Sequence, residues 1–180
     1  CCTNTASNNV YLGDYVASRA LNNGRNNVAI GNKAAEKLTS GQFNVVIGCQ
    51  AGGGLSIGNG NIFIGKHDDC NTLISGSNNI ALGCMAGNNL SNGIANIFLG
   101  GHSGGSNTSG DYNIAIGCSV CLPIADGDKQ LAIGCGTNRW IAGDSSYNVT
   151  LAGIATVTAS TGVVEATKFC GDGSCLTGIS

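Results

Sequence analysis

The stretch Asn113-Ile114-Ala115-Ile116-Gly117 contains the motif from which most of this 180-residue chain is built. The motif is Asn, then Ile or Val, any residue, Ile or Leu, and Gly. A fixed repeat period is the signature of a stacked-repeat protein, in which one repeat forms one structural unit. The sequence therefore predicts an all-β solenoid, or β-helix, of about nine coils of 17–18 residues. The copies begin at Asn9, Asn27, Asn44, Asn61, Asn79, Asn96 and Asn113, with divergent copies at Gln130 and Asn148.

Glycine marks two positions in almost every repeat, four residues after the Asn and three residues before the next one. Glycines at fixed offsets predict chain corners, because glycine adopts backbone conformations that cost energy for residues with a Cβ. Between the corners, Asn-Ile-x-Ile predicts a short strand. Side chains alternate along a strand, so we expect the two aliphatic residues to point into the coil and the residue between them to point outward.

The residue between the two aliphatics is apolar in eight of the nine copies. A solvent-facing position would be polar, so both faces of the strand should be covered, as in strands that read as continuous apolar runs. A second copy of the chain around a shared axis is the simplest cover, and we expect a homotrimer. Scattered exposure of small residues would explain the alanines of this column but not Phe63 and Phe98.

The repeated asparagines predict a ladder, in which each side-chain amide bonds to the one in the next coil. The alternative is that each Asn only shapes a turn. The predicted ladder consists of Asn27, Asn44, Asn61, Asn79, Asn96 and Asn113.

Changes in composition divide the chain into four segments. Residues 1–7 form an N-terminal extension, and residues 8–155 form the repeats. Residues 156–162 are rich in Thr, Ser and Ala and are interpreted as a linker. Residues 163–180 alternate like a strand, turn at a Gly-rich segment, and predict a small C-terminal hairpin that caps the stack.

Charge and hydropathy exclude several function classes. Only 10% of the residues are charged, and the net charge is −2. This composition has no basic patch for nucleic acid. No apolar run reaches the roughly 18 residues that span a bilayer, so membrane insertion is not expected.

Ten cysteines raise the question of a disulfide framework. Cys118 and Cys135 both follow a corner glycine, in adjacent coils, where vertically stacked residues could reach disulfide distance. A buried or stacked thiol is the alternative, and it is the one we favour for this column. Cys170 and Cys175 flank a Gly-rich turn and could pair within or between chains.

Neither catalysis nor metal binding is predicted. The segment from Lys66 to Cys70 contains His67 and two aspartates but lacks the second ligand pair of a structural zinc site. Glycosidases need two carboxylates held about 5–10 Å apart, and no repeat carries two on one strand. We therefore expect no cofactor and no enzymatic activity.

The repeats resemble those of bacteriophage tail-fibre and virion-surface proteins, especially from phages of marine cyanobacteria. The resemblance rests on residues 113–117, 76–87, 96–100 and 161–179. Residues 28–31 are similar to head repeats of trimeric autotransporter adhesins. The resemblance implies a trimeric fibre on a virion or in the extracellular space. It also implies other tail or fibre proteins and a host-surface glycan or protein as partners.

Three functions are compatible with these observations: a phage fibre module that serves as shaft or adhesin, a cellular trimeric adhesin head, and an ice-binding solenoid. The last would need a regular array of Thr on one face, and the threonines here are scattered. Three aromatic residues could contact carbohydrate or could instead be packing residues: Trp140, Tyr112 and Tyr147.

Overall fold

The computed structural model describes residues 7–18, 23–66, 75–152 and 155–166, and no helix occurs within these ranges. The strands form a single sheet of twelve strands whose spatial order is their order in the chain. This arrangement confirms the predicted all-β solenoid. The strands are β1 Val10–Leu12, β2 Val28–Ile30, β3 Val45–Ile47, β4 Ile62–Ile64, β5 Ile80–Leu82, β6 Ile97–Leu99, β7 Ile114–Ile116, β8 Leu131–Cys135, β9 Asn138–Gly143, β10 Val149–Leu151, β11 Ala155–Thr158 and β12 Val163–Ala166.

Strands β1 to β8 are parallel and pair in the register of the repeat. Each residue pairs with its equivalent one coil later, as in Ile97 with Ile114 and Leu99 with Ile116. Backbone bonds of about 2.8 Å join the coils, for example from the Ile97 N–H to the Asn113 carbonyl. Eight strands at about 4.8 Å spacing give a stack roughly 34 Å long. One repeat is therefore one coil.

The parallel stack ends at β8, one copy earlier than expected. Cys135 pairs with Asn138 across the two residues Gly136 and Thr137, and Gly136 has a φ of +57°. Such a two-residue turn with positive φ forms an antiparallel hairpin. It sends β9 back along β8 instead of around another coil, and β10 to β12 continue the antiparallel order.

The structure places both ends of the repeat region differently from the boundaries expected from the sequence composition. Ser7 already pairs with Arg25, so the stack extends into the segment assigned to an N-terminal extension. Part of the expected linker is strand β11, which forms a hairpin with β12. Residues 167–180, including Cys170 and Cys175, lie outside the described residues.

The faces of the strands are the reverse of those we expected. The middle residue of β2 to β8 is buried at 0–1% exposure, whereas the two flanking aliphatic residues are half-buried or exposed. The interior of a 17-residue coil is narrow. It holds one strand side chain beside the Asn and Leu columns and buried wall residues such as Ala51 and Ala86, and no second aliphatic residue per strand. The buried column is Ala29, Val46, Phe63, Ala81, Phe98, Ala115 and Ala132.

The repeated asparagines are buried and form a ladder along the stack. The Asn44 Nδ2 group donates to Asn27 Oδ1 at 3.0 Å and to the Gly58 carbonyl at 2.9 Å. The Asn44 backbone N–H donates to the same Asn27 Oδ1. Each amide thus uses both N–H donors and both acceptor positions. The same contacts recur at Asn61, Asn79 and Asn96.

The last rung of the ladder is altered by Asn107, which occupies the position of the Leu column. Asn107 is fully buried, and its Nδ2 group reaches Asn96 Oδ1 at 3.4 Å and the Gly110 carbonyl at 3.0 Å. Asn113 keeps its backbone bond to Asn96 Oδ1 and its side-chain bond to Gly127. The Asn107 amide, which stands where other repeats have Leu, is therefore satisfied by hydrogen bonds inside the stack.

The corner glycines are required by the closeness of the coils. Gly48 has a φ of +132°, and a Cβ placed there would lie 2.7 Å from the carbonyl carbon of Gly65 in the next coil. Because that obstacle is backbone, it cannot move aside without separating the coils. This explains why glycine recurs four residues after the Asn in the first seven copies. In the eighth, a Cβ at Gly134 would instead lie 2.8 Å from the Arg139 Cα of the returning strand β9.

A smaller set of hydrogen bonds on the exposed edge centres on Asp126. Asp126 Oδ1 accepts bonds from the Thr108 hydroxyl, the Thr108 N–H and the Ser109 N–H. These bonds, the Thr108 hydroxyl first, lower the pKa of Asp126.

We expect the stabilisation by Asp126 to be present above the unfolded carboxyl pKa of about 3.9 and to be lost as pH falls through the lower folded pKa. Urea unfolding of wild type and Asp126→Asn should therefore show a difference that shrinks as the pH is lowered below that value. A difference that grows on acidification would contradict the assignment.

Candidate interaction surface

The outward side chains of the parallel strands form one continuous aliphatic surface, here called the apolar face. Every one of its sixteen positions is Val, Ile or Leu. The first column is Val10, Val28, Val45, Ile62, Ile80, Ile97, Ile114 and Leu131, and the second is Leu12, Ile30, Ile47, Ile64, Leu82, Leu99, Ile116 and Ile133.

The apolar face is accessible to solvent in the single chain. Val10 is 54% exposed and Leu12 is 65% exposed, while Ile64 and Leu82 are 39% and 36% exposed. The other positions are half-buried, mainly because each side chain stacks on its equivalent in the next coil. Contiguous apolar patches of this kind mark interaction surfaces in soluble proteins.

A column of left-handed residues borders the apolar face on the side before each Asn. Their φ values lie near +57°, which costs a residue with a Cβ roughly 1–2 kcal/mol. Sequence reasoning missed this column, although Asn or Gly at four of its positions is a signal for left-handed backbone. The column is Asn8, Asn26, Phe43, Gly60, Asn78, Ala95, Tyr112, Lys129 and Tyr147.

Cysteines follow four of the eight corner glycines and border the apolar face on that side. Cys49, Cys84, Cys118 and Cys135 are exposed and carry free thiols in the structure. Cys118 and Cys135 lie in adjacent coils, which are joined by a 3.0 Å bond from the Gly136 N–H to the Cys118 carbonyl. Cys118 and Cys135 therefore follow the corner glycine at equivalent positions of neighbouring coils.

Two of the three aromatic residues singled out in the sequence lie at one hollow. Tyr112 and Tyr147, 58% and 66% exposed, line a hollow of about 370 Å³ at the C-terminal end of the apolar face. Gly143 pairs with both Leu131 and Val149 and adds no side chain between them. The remaining lining residues are Ile114, Lys129, Gln130 and Leu131.

Trp140 lines a different and larger concavity of about 560 Å³, here called the Trp140 cavity. Ala142 lies in this cavity and pairs with the core residue Ala132, and Thr150 pairs with Ala142. The cavity is therefore on the core side of the sheet, opposite the apolar face. Its lining is Pro123, Thr137, Asn138, Arg139, Trp140, Ala142, Gly143, Asp144, Asn148, Thr150 and Ala152.

Two opposite charges line the Trp140 cavity. Arg139 donates from Nη1 to the Cys121 carbonyl at 3.2 Å. Asp144 accepts bonds from the Asn148 side chain and from the backbone N–H groups of Asn148 and Ser146. These bonds, the Asn148 side chain first, lower the pKa of Asp144. The carboxyl is therefore ionised at neutral pH.

Clusters of metal-ligating side chains are absent from the described residues. No three His, Cys, Asp or Glu side chains there converge to hold a metal ion, and His67 and Cys70 lie outside the described ranges. The same part of the chain has no helix that is long and apolar enough to cross a membrane. Comparisons with protein-family models, curated proteins and solved structures found no match to this chain.

Proposed function

We propose that this chain is a structural module of a phage tail or surface fibre, which assembles as a homotrimer through its apolar face. The observation that carries the proposal is the run of sixteen aliphatic positions across eight strands. A rod whose whole length presents one apolar strip to water gains stability when that strip is buried. The middle residue of each strand, from which a partner was first expected, is buried in the coil. The proposal rests instead on the two aliphatic residues that flank it.

A second copy of the same chain suits the apolar face better than an unrelated protein. The face carries no charge or hydrogen-bonding side chain that could select a different partner. Its repeat period is about 4.8 Å along the stack, so another copy presents aliphatic rows at the same spacing. Three flat faces can close around one axis and leave no apolar strip exposed, which agrees with the closed symmetry of most homo-oligomers.

The resemblance to phage fibre repeats supports a virion location and an extracellular setting. A rod of stacked coils can serve as a shaft segment of a fibre, with other tail or fibre proteins as neighbours. The loops on the faces away from the trimer axis are then available for contact with a host-surface glycan or protein.

The assembly is tested by replacing two neighbouring residues at the centre of the apolar face. We expect wild type to elute at about three times the chain mass of 17.9 kDa in size-exclusion chromatography with light scattering. The double variant Ile97→Lys/Leu99→Lys should be a folded monomer, because burying two unpaired ammonium groups at an apolar interface is strongly unfavourable.

Ile57→Lys is the matched control, since Ile57 is an apolar residue that is 48% exposed and lies outside the apolar face. This variant should keep the trimeric mass, and circular dichroism should show the same β signal for all three proteins. Monomeric wild type, or a trimeric double variant, would refute assembly through this face. Immunogold labelling of fibres on phage particles tests the virion location, and labelling of cell surfaces alone would favour a cellular adhesin.

A further inference from the structure

We propose that the Trp140 cavity is a binding site for neutral carbohydrate, with the Trp140 ring as the platform on which a sugar stacks. The inference builds on the proposed contact with a host-surface glycan and assigns it to particular residues. It rests on the shape of the end of the solenoid, the exposure of Trp140 and the polar groups around it.

The Trp140 cavity exists because the sheet continues beyond the coil wall. The part of each coil outside its strand forms the coil wall, and in the last coil this wall passes through Pro123, the only proline in the chain. The sheet continues beyond that coil through β9 and β10. The core side of these two strands is therefore only partly covered at Ala142 and Thr150. Because the cavity lies opposite the apolar face, it stays open when chains assemble through that face.

Trp140 is held at the rim of this cavity by its backbone. Ile133 pairs with Ile141 and Gly134 pairs with Arg139, so Trp140 is the extra residue of a β-bulge. Its carbonyl accepts a 2.7 Å bond from the Ala152 N–H. Bulges reorient side chains and are frequent next to functional sites.

The exposed side chain of Trp140 suits a ligand with an apolar surface. Trp140 is 70% exposed, although Trp is a residue that is highly buried on average. A pyranose ring has a face of C–H groups that can lie flat on an indole, and hydroxyl groups around its rim. A sugar therefore covers the aromatic ring and also requires polar neighbours.

The polar groups that line the Trp140 cavity can form hydrogen bonds with the hydroxyl groups around a sugar ring. Asp144 is an ionised acceptor, the Arg139 guanidinium carries five N–H donors of which one is directed at Cys121, and the Asn138 amide offers both donor and acceptor. The two charges have opposite sign, so the lining favours a neutral sugar over an acidic one. The volume of about 560 Å³ is in the range of small-ligand sites.

The single tryptophan of the chain gives a direct experiment. Tryptophan fluorescence of wild type is titrated with cellotriose, maltotriose and mannotriose up to tens of millimolar. At least one of them should cause a saturable shift of the emission, and calorimetry should give the same dissociation constant. By calorimetry, Trp140→Ala should weaken binding at least about tenfold, and Trp140→Phe should retain part of it because a smaller aromatic platform remains.

Tyr112→Ala and Tyr147→Ala are the matched controls, because these exposed aromatics line the other hollow. Both should bind the sugar within twofold of wild type. Absence of a saturable response to all three sugars overturns the proposal. Loss of binding in the tyrosine variants but not in Trp140→Ala overturns it as well, and so does tighter binding of sialyllactose than of every neutral sugar.

Measuring the molecular mass of the same samples separates this inference from the proposed assembly. Trp140→Ala should have the mass of wild type. A wild-type monomer that binds sugar through Trp140 refutes the trimer and leaves the carbohydrate site standing. A trimer that binds none of the sugars refutes the carbohydrate site and leaves the assembly standing.

Discussion

Asn61→Ala is expected to lower the free energy of unfolding by roughly 3–9 kcal/mol, a large part of the stability of a domain of this size. Asn61 is fully buried, and its Nδ2 group donates to Asn44 Oδ1 and to the Gly76 carbonyl. Its own Oδ1 accepts the backbone N–H and the Nδ2 group of Asn79. Truncation therefore leaves two donors of Asn79 and the Gly76 carbonyl without these partners, each at a cost of about 1–3 kcal/mol.

The control for this prediction is Asn32→Ala, in which an exposed asparagine of the same stack is truncated. Its effect should stay within about 0.5 kcal/mol, as for most surface substitutions. Urea unfolding monitored by circular dichroism measures both variants. Equal stability of the two would show that the ladder contributes no more than a surface amide.

Asn61→Asp extends this test, because it keeps the shape of the side chain and replaces its donors with an acceptor. Burial disfavours an ionised carboxylate, so the pKa of the introduced group should be raised in the folded protein. A raised pKa means that the folded state holds the proton more tightly than the unfolded state. The variant should therefore be closest to wild type below the unfolded pKa of about 3.9 and lose stability as the pH rises. A constant deficit across this range would contradict burial of the carboxyl.

Gly104→Ala is expected to cost about 3 kcal/mol or more, because it combines steric overlap with backbone strain. A Cβ at Gly104 would lie 2.5 Å from Cε1 and 2.7 Å from Cγ of Phe98. The Phe98 ring is fully buried, and Gly87 approaches it from the neighbouring coil. The φ of Gly104 is +64°, in the left-handed region that disfavours any residue with a Cβ.

Gly136→Ala isolates the backbone part of this cost. Gly136 has a φ of +57°, and a Cβ placed there would meet no atom within 4 Å. This variant should lose only about 1 kcal/mol, and the difference between the two variants measures the overlap with Phe98. Equal losses in chemical unfolding would mean that the core adapts to the added methyl group.

The double variant Phe98→Ala/Gly104→Ala provides a further check on the overlap. The coil that begins at Asn27 already combines Ala29 in the strand with a left-handed Ala35 in the wall, both buried. Phe98→Ala alone should cost about 3–5 kcal/mol through the cavity that it creates. The double variant should cost at least about 1 kcal/mol less than the sum of the single variants, since the new methyl group enters that space. Additive losses would argue against the contact.

Periodicity alone determined the architecture of the coils. Equivalent residues recur every 17 or 18 positions. A parallel sheet, in which Ile97 pairs with Ile114, is the arrangement that places each residue beside its equivalent in the next repeat. The same logic placed Asn44 over Asn27 and brought the corner glycines together. Such columns can be predicted because each depends on the residue type at one offset and on backbone stacking, and both are visible in the repeat.

The orientation of the strands was decided only by the tertiary structure. Ile114, Ala115 and Ile116 are all apolar, so alternation alone cannot tell which face is inside. The coil interior has room for one side chain of the strand, so Ala115 is buried and the two isoleucines on the other face are not. The end of the stack depends likewise on one local turn at Gly136, and the Trp140 cavity depends on how the returning strands pass the coil wall. The sequence determined which residues stack on one another, but only the packing of the whole coil decided which of them face the core and which remain available to a partner.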